Sequence, residues 1–468
     1  MQKNKPGFSI FFLTEMWERY GFYVLQSLLI FFAVKKLGIS DKDAYSLVGS
    51  FTALAYVNSI FGGYIADRMI GYDYSVIAGT LLLCAGYSVL SVLSYNFDFF
   101  ILGLAIITIG TGMLKPNISS MLSILYKNNP EQKDYGYTLF YIGIYFGAIG
   151  GSMIGGYIKE YMGWMAVFAS ASIGLFVAFL IFSWGRKHYN LYDEREVKVT
   201  PRNICLAFLI IIGIIEISYF GLRNEVLSEI MFAIIAVASV ACITYNLFKL
   251  QGAARRKLFA FLIFVVISTL YWAIYFQQFF SVSLCTDRVT RLTLPESTLT
   301  GFESLGVILF GPLVSWLWFK LQQKQINTPI TVKFSLSFLF NAIGFLCLVI
   351  GLQYAEQHGV LLSQWVIVGC YLLIATGELF IAPIGLSMVS TLTPPALNGA
   401  MMGVFLMSIG LGGKLAGILA RISSTDGTND VLHLQYIYSH EFTIFSIMSI
   451  TVFVLCLLLV KPLNKLMK

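Results

Sequence analysis

Glu15, Glu18 and Arg19 stand together in an otherwise apolar run, residues 8–33. A charge at the centre of a bilayer costs about 2.5–3.5 kcal/mol even on lenient scales, so ionisable groups kept at that depth are functional candidates. At helical spacing Glu15, Arg19, Phe22 and Tyr23 share one face, because neighbours three, four and seven positions apart align; Glu18 borders it. One carboxylate can pair with Arg19 while the other accepts a proton, which is the chemistry of a proton carrier. Lys115 follows in Gly112-Met113-Leu114-Lys115-Pro116-Asn117. Pro116 breaks the helical hydrogen-bond ladder and frees carbonyls, as a cavity wall requires, although Lys115 is also long enough to reach the inner surface. Glu378, after Gly377, is alone in its apolar run and needs a partner, a proton or a substrate. Lys414 stands late in its run and is expected to extend outward to the surface. Fully ionised, Glu15, Glu18, Arg19, Lys115 and Glu378 sum to −1. One proton neutralises them and a zwitterion adds no charge, the arithmetic of proton symport.

The elements that must hold these groups are membrane helices. The chain is 57% hydrophobic and only 12% charged, about half the charged share of a soluble domain. A spanning helix needs about 20 predominantly apolar residues. Fourteen such stretches are read along the chain, among them 8–33, 203–221, 227–249, 257–284, 299–319, 363–388 and 440–460. Basic residues concentrate in alternate connections, notably Arg186 to Arg202 and Lys249 to Lys257. That bias sets both termini in the cytoplasm. Lys3 and Lys5 before an apolar run mimic a signal peptide, but Glu15, Glu18 and Arg19 interrupt it, so a retained first helix is expected. Gly62-Gly63-Tyr64-Ile65-Ala66-Asp67-Arg68-Met69-Ile70-Gly71 ends the second stretch. Its glycines permit close helix approach, and Asp67 and Arg68 are expected to pin the turn. Gly147, Gly151 and Gly155, four apart, read as helix packing.

Several classes drop out. The basic residues form no polar nucleic-acid face. Seven cysteines include no CxxC pair, and His188, His358, His433 and His440 all fall in loops, which argues against metal, haem and disulfide frameworks. No phosphate-binding glycine loop suggests ATP-driven transport. No enzyme activity, catalytic residue, metal or cofactor is therefore expected, only protons as the coupling ion.

Fourteen helices divide as six, two and six: 1–185 and 257–468 as six-helix bundles, and 186–256 as a linker with two inserted helices. The expected fold is an all-α membrane protein on the major-facilitator plan, with two halves around a central site. At the charged motifs the chain resembles the proton-dependent oligopeptide transporters, a branch of that superfamily. Glu15-x-x-Glu18-Arg19-Tyr20-x-x-Tyr23 resembles their first-helix motif, and Gly62 to Gly71 their second-helix signature. Gly110-Thr111-Gly112-x-x-Lys115-Pro116-Asn117 resembles the fourth-helix motif, and Gly377-Glu378 with Pro383 and Ser387 the tenth-helix one.

The resemblance implies that Arg19 and Lys115 hold a peptide carboxylate and Glu378 its amino terminus. Tyr23 and Tyr56 would line the pocket, and Tyr145, Trp272, Gln277, Ser387 and Phe405 fall at further substrate-binding positions. Glu15, Glu18 and Arg19 would couple protons; Asp67, Arg68 and Pro116 would gate or support. A monomer in the bacterial inner membrane, in contact with lipid and importing di- and tripeptides by alternating access, is the implied function. The chain departs from the family pattern in places. Tyr145 stands where Asn is usual, Phe22 replaces Tyr, Gln26 a base, and Phe405 a frequent Trp. Tyr275 and Phe276 stand before Gln277 where many members carry Glu. A modified peptide or another small amino-bearing carboxylate is the alternative substrate.

Overall fold

The computed structural model describes residues 6–127, 130–193, 195, 197, 199–326, 328–425 and 427–467; Lys3, Lys5 and Lys198 lie outside them. The chain forms two compact units, Met1–Ile39 with Ser50–Ser228, and Ser40–Gly49 with Glu229–Lys468. The first holds α1 (Phe8–Phe31), most of α2 (Asp41–Ile65), α3 (Tyr72–Leu93), α4 (Phe97–Leu125), α5 (Pro130–Ile149), α6 (Gly155–His188) and α7 (Pro201–Arg223). The second holds most of α8 (Glu225–Lys249), then α9 (Gly252–Tyr275), α10 (Ser281–Val289), α11 (Gly301–Gln323), α12 (Ile330–His358), α13 (Gln364–Glu378), α14 (Ala382–Leu392), α15 (Asn398–Ala420) and α16 (Val431–Met467). The inserted pair is thus divided. Ile211 and Ile214 of α7 pack on Ile65, Met69, Ile109 and Met113 of the first unit.

Among the described residues, twelve helices are long and apolar enough to cross a membrane. They differ from the fourteen stretches read in the sequence at two places. One continuous run, Tyr135–His188, contains Gly163 at φ 85 with non-helical geometry. The other is α1, whose three charges keep it outside the twelve.

Without a hydrophobic drive between helices inside lipid, small residues that let backbones meet decide the packing. A side chain at Gly62 would come within 2.1 Å of the Gly112 carbonyl oxygen, so α2 and α4 touch backbone to backbone. Pro116 has no N–H for the carbonyl one turn before it, which is that of Gly112. Asn117 finishes the junction, donating to the Met113 carbonyl at 2.6 Å, to Ser75 Oγ at 2.8 Å and to the Gly62 carbonyl at 3.3 Å. Gly147 of α5 works likewise: a Cβ there would lie 2.2 Å from the Met16 carbonyl and 2.8 Å from Arg19 Cβ.

In the second unit, two stretches that read as single spans are broken. After Tyr275 the chain tightens into a 3₁₀ turn, Phe276–Phe279, before α10. After Glu378 it turns at residues 379–381 before α14, where Pro383 at the second position cannot continue the preceding ladder. The start of α2 joins this unit because Arg288 grips both oxygens of Asp41, each at 2.7 Å, and Thr425 donates to the same carboxylate.

The turn after α2 is tied to the polar linker. Arg195 bonds Asp67 at 2.6 Å, lies over the Tyr72 ring at 3.4 Å and clasps Asp193, which accepts from the Tyr72 N–H at 2.9 Å. Asp67 therefore ties its turn to the linker through Arg195 and to the start of α3 through the Tyr72 side chain; Arg68 is exposed. Burial alone would raise the Asp193 carboxyl, but the hydrogen bonds from Arg195 and from the Tyr72 N–H hold it below its ordinary 3.8.

Two outcomes are expected. Gly62→Ala should lower the stability of purified protein by about 1–3 kcal/mol through overpacking against backbone. Gly63→Ala, which meets nothing within 4 Å, should melt with the wild type; thermal unfolding read by size exclusion checks both. Because the folded Asp193 carboxyl is depressed, its stabilisation is complete above its ordinary value and is lost as pH falls below it. Asp193→Asn should remove that acid-side loss, measured as the change in melting temperature between pH 6 and pH 3.

Candidate functional site

In the first unit α1 carries its charges inward. Glu15 and Glu18 are each 1% exposed and Arg19 3%. The guanidinium bonds both oxygens of Glu18, one from Nε and one from Nη2, so the neighbour in sequence is the tight partner. Glu15 Oε1 stands 3.5 Å from Arg19 Nε, and its Oε2 is buried with no hydrogen-bond partner among the described residues. Phe22 supports the guanidinium from below, its ring centroid 4.8 Å from Arg19 Cζ. The Tyr-to-Phe departure therefore keeps a π face beneath the cation but gives up a hydroxyl. Lys115 points its amine over the ring of Tyr56 at 4.7 Å, and both side chains are half-buried. Pro116 is enclosed in α4, and Tyr23 and Tyr145 are half-buried on α1 and α5. Two cations, two carboxylates and tyrosines make a site able to bind an anionic group and hold one proton.

In the second unit Tyr275 joins two carboxyl groups. Its hydroxyl lies 3.1 Å from Glu378 Oε2 and 3.0 Å from Glu303 Oε1. Trp272 packs edge-on against Tyr275, ring centroids 4.9 Å apart. Gln277, Ser387 and Phe405 belong to the same unit. Gln277 is fully buried, donates to the carbonyls of Ala273 and Ala416, and accepts from Ser281. It staples the break after α9. Phe405 is 1% exposed and fills the space beside Gly385. Ser387 is exposed and donates to the Ile384 carbonyl. Lys414 does not reach outward: it is 5% exposed, its amine 5.8 Å from the Phe232 ring of α8.

Among the buried carboxyls that escaped the sequence reading, Glu303 and Glu441 are the most enclosed, 1% and 0% exposed. Both fall near the start of an apolar stretch, where charge reads as interfacial. In the fold α16 begins at Val431, so Glu441 lies well inside its helix, while Glu303 stands in the first turn of α11, behind a 3₁₀ turn that begins at Glu296.

Residues 74–432 match the model of the POT family, and the chain belongs to that family of transporters. It is a multi-pass membrane protein with the major-facilitator fold. Dipeptide and tripeptide permease A of Escherichia coli strain K12 is 27% identical over 474 residues, covering 99% of this chain and 93% of the relative. The permease A of Serratia proteamaculans is 26% identical, covering 99% and 92%. Among solved structures, a bacterial homologue of the human drug peptide transporters PepT1 and PepT2 superposes with a TM-score of 0.87 at 24% identity, 99% of each chain covered. Tetrameric PepTSo2 gives 0.87 at 23%, with 98% of each covered.

The Glu18–Arg19 pair makes a sharp double-mutant test. Removing one member of a buried pair strands a charge and costs about 3–5 kcal/mol, whereas removing both can be nearly neutral. Arg19→Ala should therefore destabilise far more than Arg19→Ala with Glu18→Gln. Equal melting of the two variants would show that Glu18 needs no cation.

Proposed function

We propose that the chain is a proton-coupled symporter that imports di- and tripeptides across the bacterial inner membrane, both termini cytoplasmic, by alternating access. The buried Glu15–Glu18–Arg19 cluster with Lys115 carries the reading. Arg19 and Lys115 take the peptide carboxylate, and Glu378 takes the ammonium. Glu15, whose Oε2 has no partner among the described residues, takes the proton, while Glu18 keeps Arg19 charged and oriented. Tyr23, Tyr56, Tyr145 and Trp272 supply the walls. Recognition of the two charged ends leaves the side chains loosely read, so tolerance for many short peptides follows. The names of the relatives, dipeptide and tripeptide permeases, support the substrate class. The basic connections support the orientation. Each chain acts as its own transport unit in lipid, with protons as the only coupling ion and no cofactor.

A second reading keeps the mechanism and changes the cargo to a modified peptide or another small amino-bearing carboxylate. The observations behind it are Tyr145, where Asn is usual, and Tyr275 and Phe276, which stand before Gln277 where many members of the family carry a glutamate.

Labelled dialanine should enter proteoliposomes of the wild type faster under an inward proton gradient, competed by a tripeptide but not by free alanine. No dialanine uptake by well-folded protein would favour the second reading. Glu15→Gln should lose the response to the gradient yet keep counterflow exchange. If the gradient still drives that variant, the proton is carried elsewhere.

A further inference from the structure

Glu441 is fully buried in α16. From Val431 to Glu441 the helix rises about 15 Å, at 1.5 Å per residue. Neither carboxyl oxygen has a hydrogen-bond partner among the described residues, and no cation there stands within ion-pair distance of it. The hydroxyls that face it are those of Ser281 and Ser423. Gln277 gives its amide nitrogen to the carbonyls of Ala273 and Ala416, so its Oε1 is turned to Ser281, which must donate to it, at 3.0 Å. Ser423 donates to the Ala420 carbonyl at 3.0 Å. Each hydroxyl has one proton to give, so both turn lone pairs toward Glu441. A carboxylate there would face acceptors only, whereas a carboxylic acid can donate to either. An unpaired carboxylate at this depth also costs more than the neutral acid.

This acid lies next to the place where the start of α2 is held. Tyr45 of α2 stands 3.3 Å from Ser423 Oγ and is the donor, since Ser423 spends its proton on Ala420. One turn earlier, Asp41 accepts from both terminal nitrogens of Arg288, at 2.7 Å each, and from the Thr425 hydroxyl and N–H at 2.7 and 3.1 Å. Arg288 also donates to Tyr438 Oη at 3.3 Å. A Cβ on Gly417 would lie 2.5 Å from the Tyr45 carbonyl, so α15 meets α2 backbone to backbone. All these residues belong to the second unit. The titratable side chains that face Glu441 are Tyr45 of α2 and Cys285 of α10. Cys370 of α13 stands behind Cys285, and Tyr438, Arg288 and Asp41 lie beyond Tyr45. His440 is exposed, and α12 brings Phe345 against Phe442. Phenols and thiols are ordinarily neutral at pH 7, so the groups that touch Glu441 offer a carboxylate no counter-charge.

We propose that Glu441 is a proton-binding latch, which holds one proton while the start of α2 is clasped and gives it up when that end opens to water. The latch deepens the alternating-access reading above and rests on it for the motion, in which the start of α2 parts from α10, α15 and α16. On opening, the Glu441 O–H bond breaks and its proton passes to water; on closing, the carboxylate takes one proton back from the same side. No electrons are exchanged and no proton crosses the membrane at this site. A solvated glutamate ionises above about 4.3, so at neutral pH the clasped form carries one proton more than the open form. Acid on that side therefore favours the clasped form, and a rise in pH favours the open one, by up to about tenfold per pH unit. With the termini cytoplasmic this is the outer end, and an acid exterior closes the carrier behind its cargo. The latch is distinct from the Glu15 cluster, which lies in the first unit.

Infrared spectra of the reconstituted full chain at pH 7 test the proton itself. The protonated-carboxyl band should lose a component in Glu441→Gln, and that component should remain in Glu15→Gln. In Asp41→Asn, which loosens the clasp without touching Glu441, it should exchange with deuterated water about tenfold faster or more, the size expected for weakening hydrogen bonds to a charged group. A band that Glu441→Gln leaves unchanged, or an exchange rate that Asp41→Asn leaves unchanged, overturns the latch. Spin labels on Lys42→Cys and Asp430→Cys, both exposed positions, read the clasped and open populations, in a Cys205→Ser background because that thiol is exposed. From pH 6 to pH 7 the clasped-to-open ratio should fall about tenfold more in the wild-type sequence than with Glu441→Gln. Equal falls overturn the latch. Dialanine uptake separates it from the transport reading. Glu441→Gln should keep the wild-type number of protons carried per peptide; one proton fewer would make Glu441 a carrier of the coupling ion and overturn the latch. A wild type that shows the band and the pH-dependent clasp but takes up no dialanine sinks the peptide reading and leaves the latch standing.

Discussion

The burial of charge in a lipid-spanning bundle is the constraint on which the rest of this protein depends. An isolated charge there is too costly to keep, so every ionised group must find compensation within reach. Arg19 finds it in Glu18, its neighbour in sequence, both oxygens engaged. Glu15 is then left with a spare buried oxygen, and a proton is the smallest group that can satisfy it. Phe22 adds a π face to the same cation, its ring centroid 4.8 Å from Arg19 Cζ.

Charge can be held so closely only because the helices around it meet without side chains between them. Gly147 of α5 sits against the backbone of Met16 and the Cβ of Arg19, so α1 cannot rotate its charges away. Gly62 against Gly112, with Asn117 bonded to both neighbouring helices, fixes the part of α4 that carries Lys115. The small-residue motifs and the charged motifs serve one purpose: backbone contact sets the positions of the long side chains.

The second unit solves the same problem with interrupted helices. Tyr275 and Glu378 both stand where a helix stops. A helix end inside a membrane protein is tolerated where other groups satisfy the freed backbone, and here Gln277 does so after α9. The helix ends bring the Tyr275 hydroxyl to two carboxyl groups, those of Glu303 and Glu378.

Much of this was legible in the sequence. Apolar runs of spanning length, the alternation of basic connections and charges inside α1, α4 and α13 define a multi-pass membrane protein with ionisable groups at depth. The reason is that periodicity and hydropathy are local properties. Local spacing also brought Glu15, Glu18 and Arg19 into one cluster, because neighbours within one turn of a helix meet whatever the fold. Only the tertiary structure decided which carboxylate Arg19 takes, that Phe405 and Gln277 pack inside while Lys414 is enclosed, and that the long apolar runs at Tyr275 and Glu378 break. It alone joined Glu303 to Tyr275 across 28 residues and drew Glu303 and Glu441 inside. Hydropathy cannot say how far a helix extends beyond its apolar core, and a partner on another helix leaves no spacing to read.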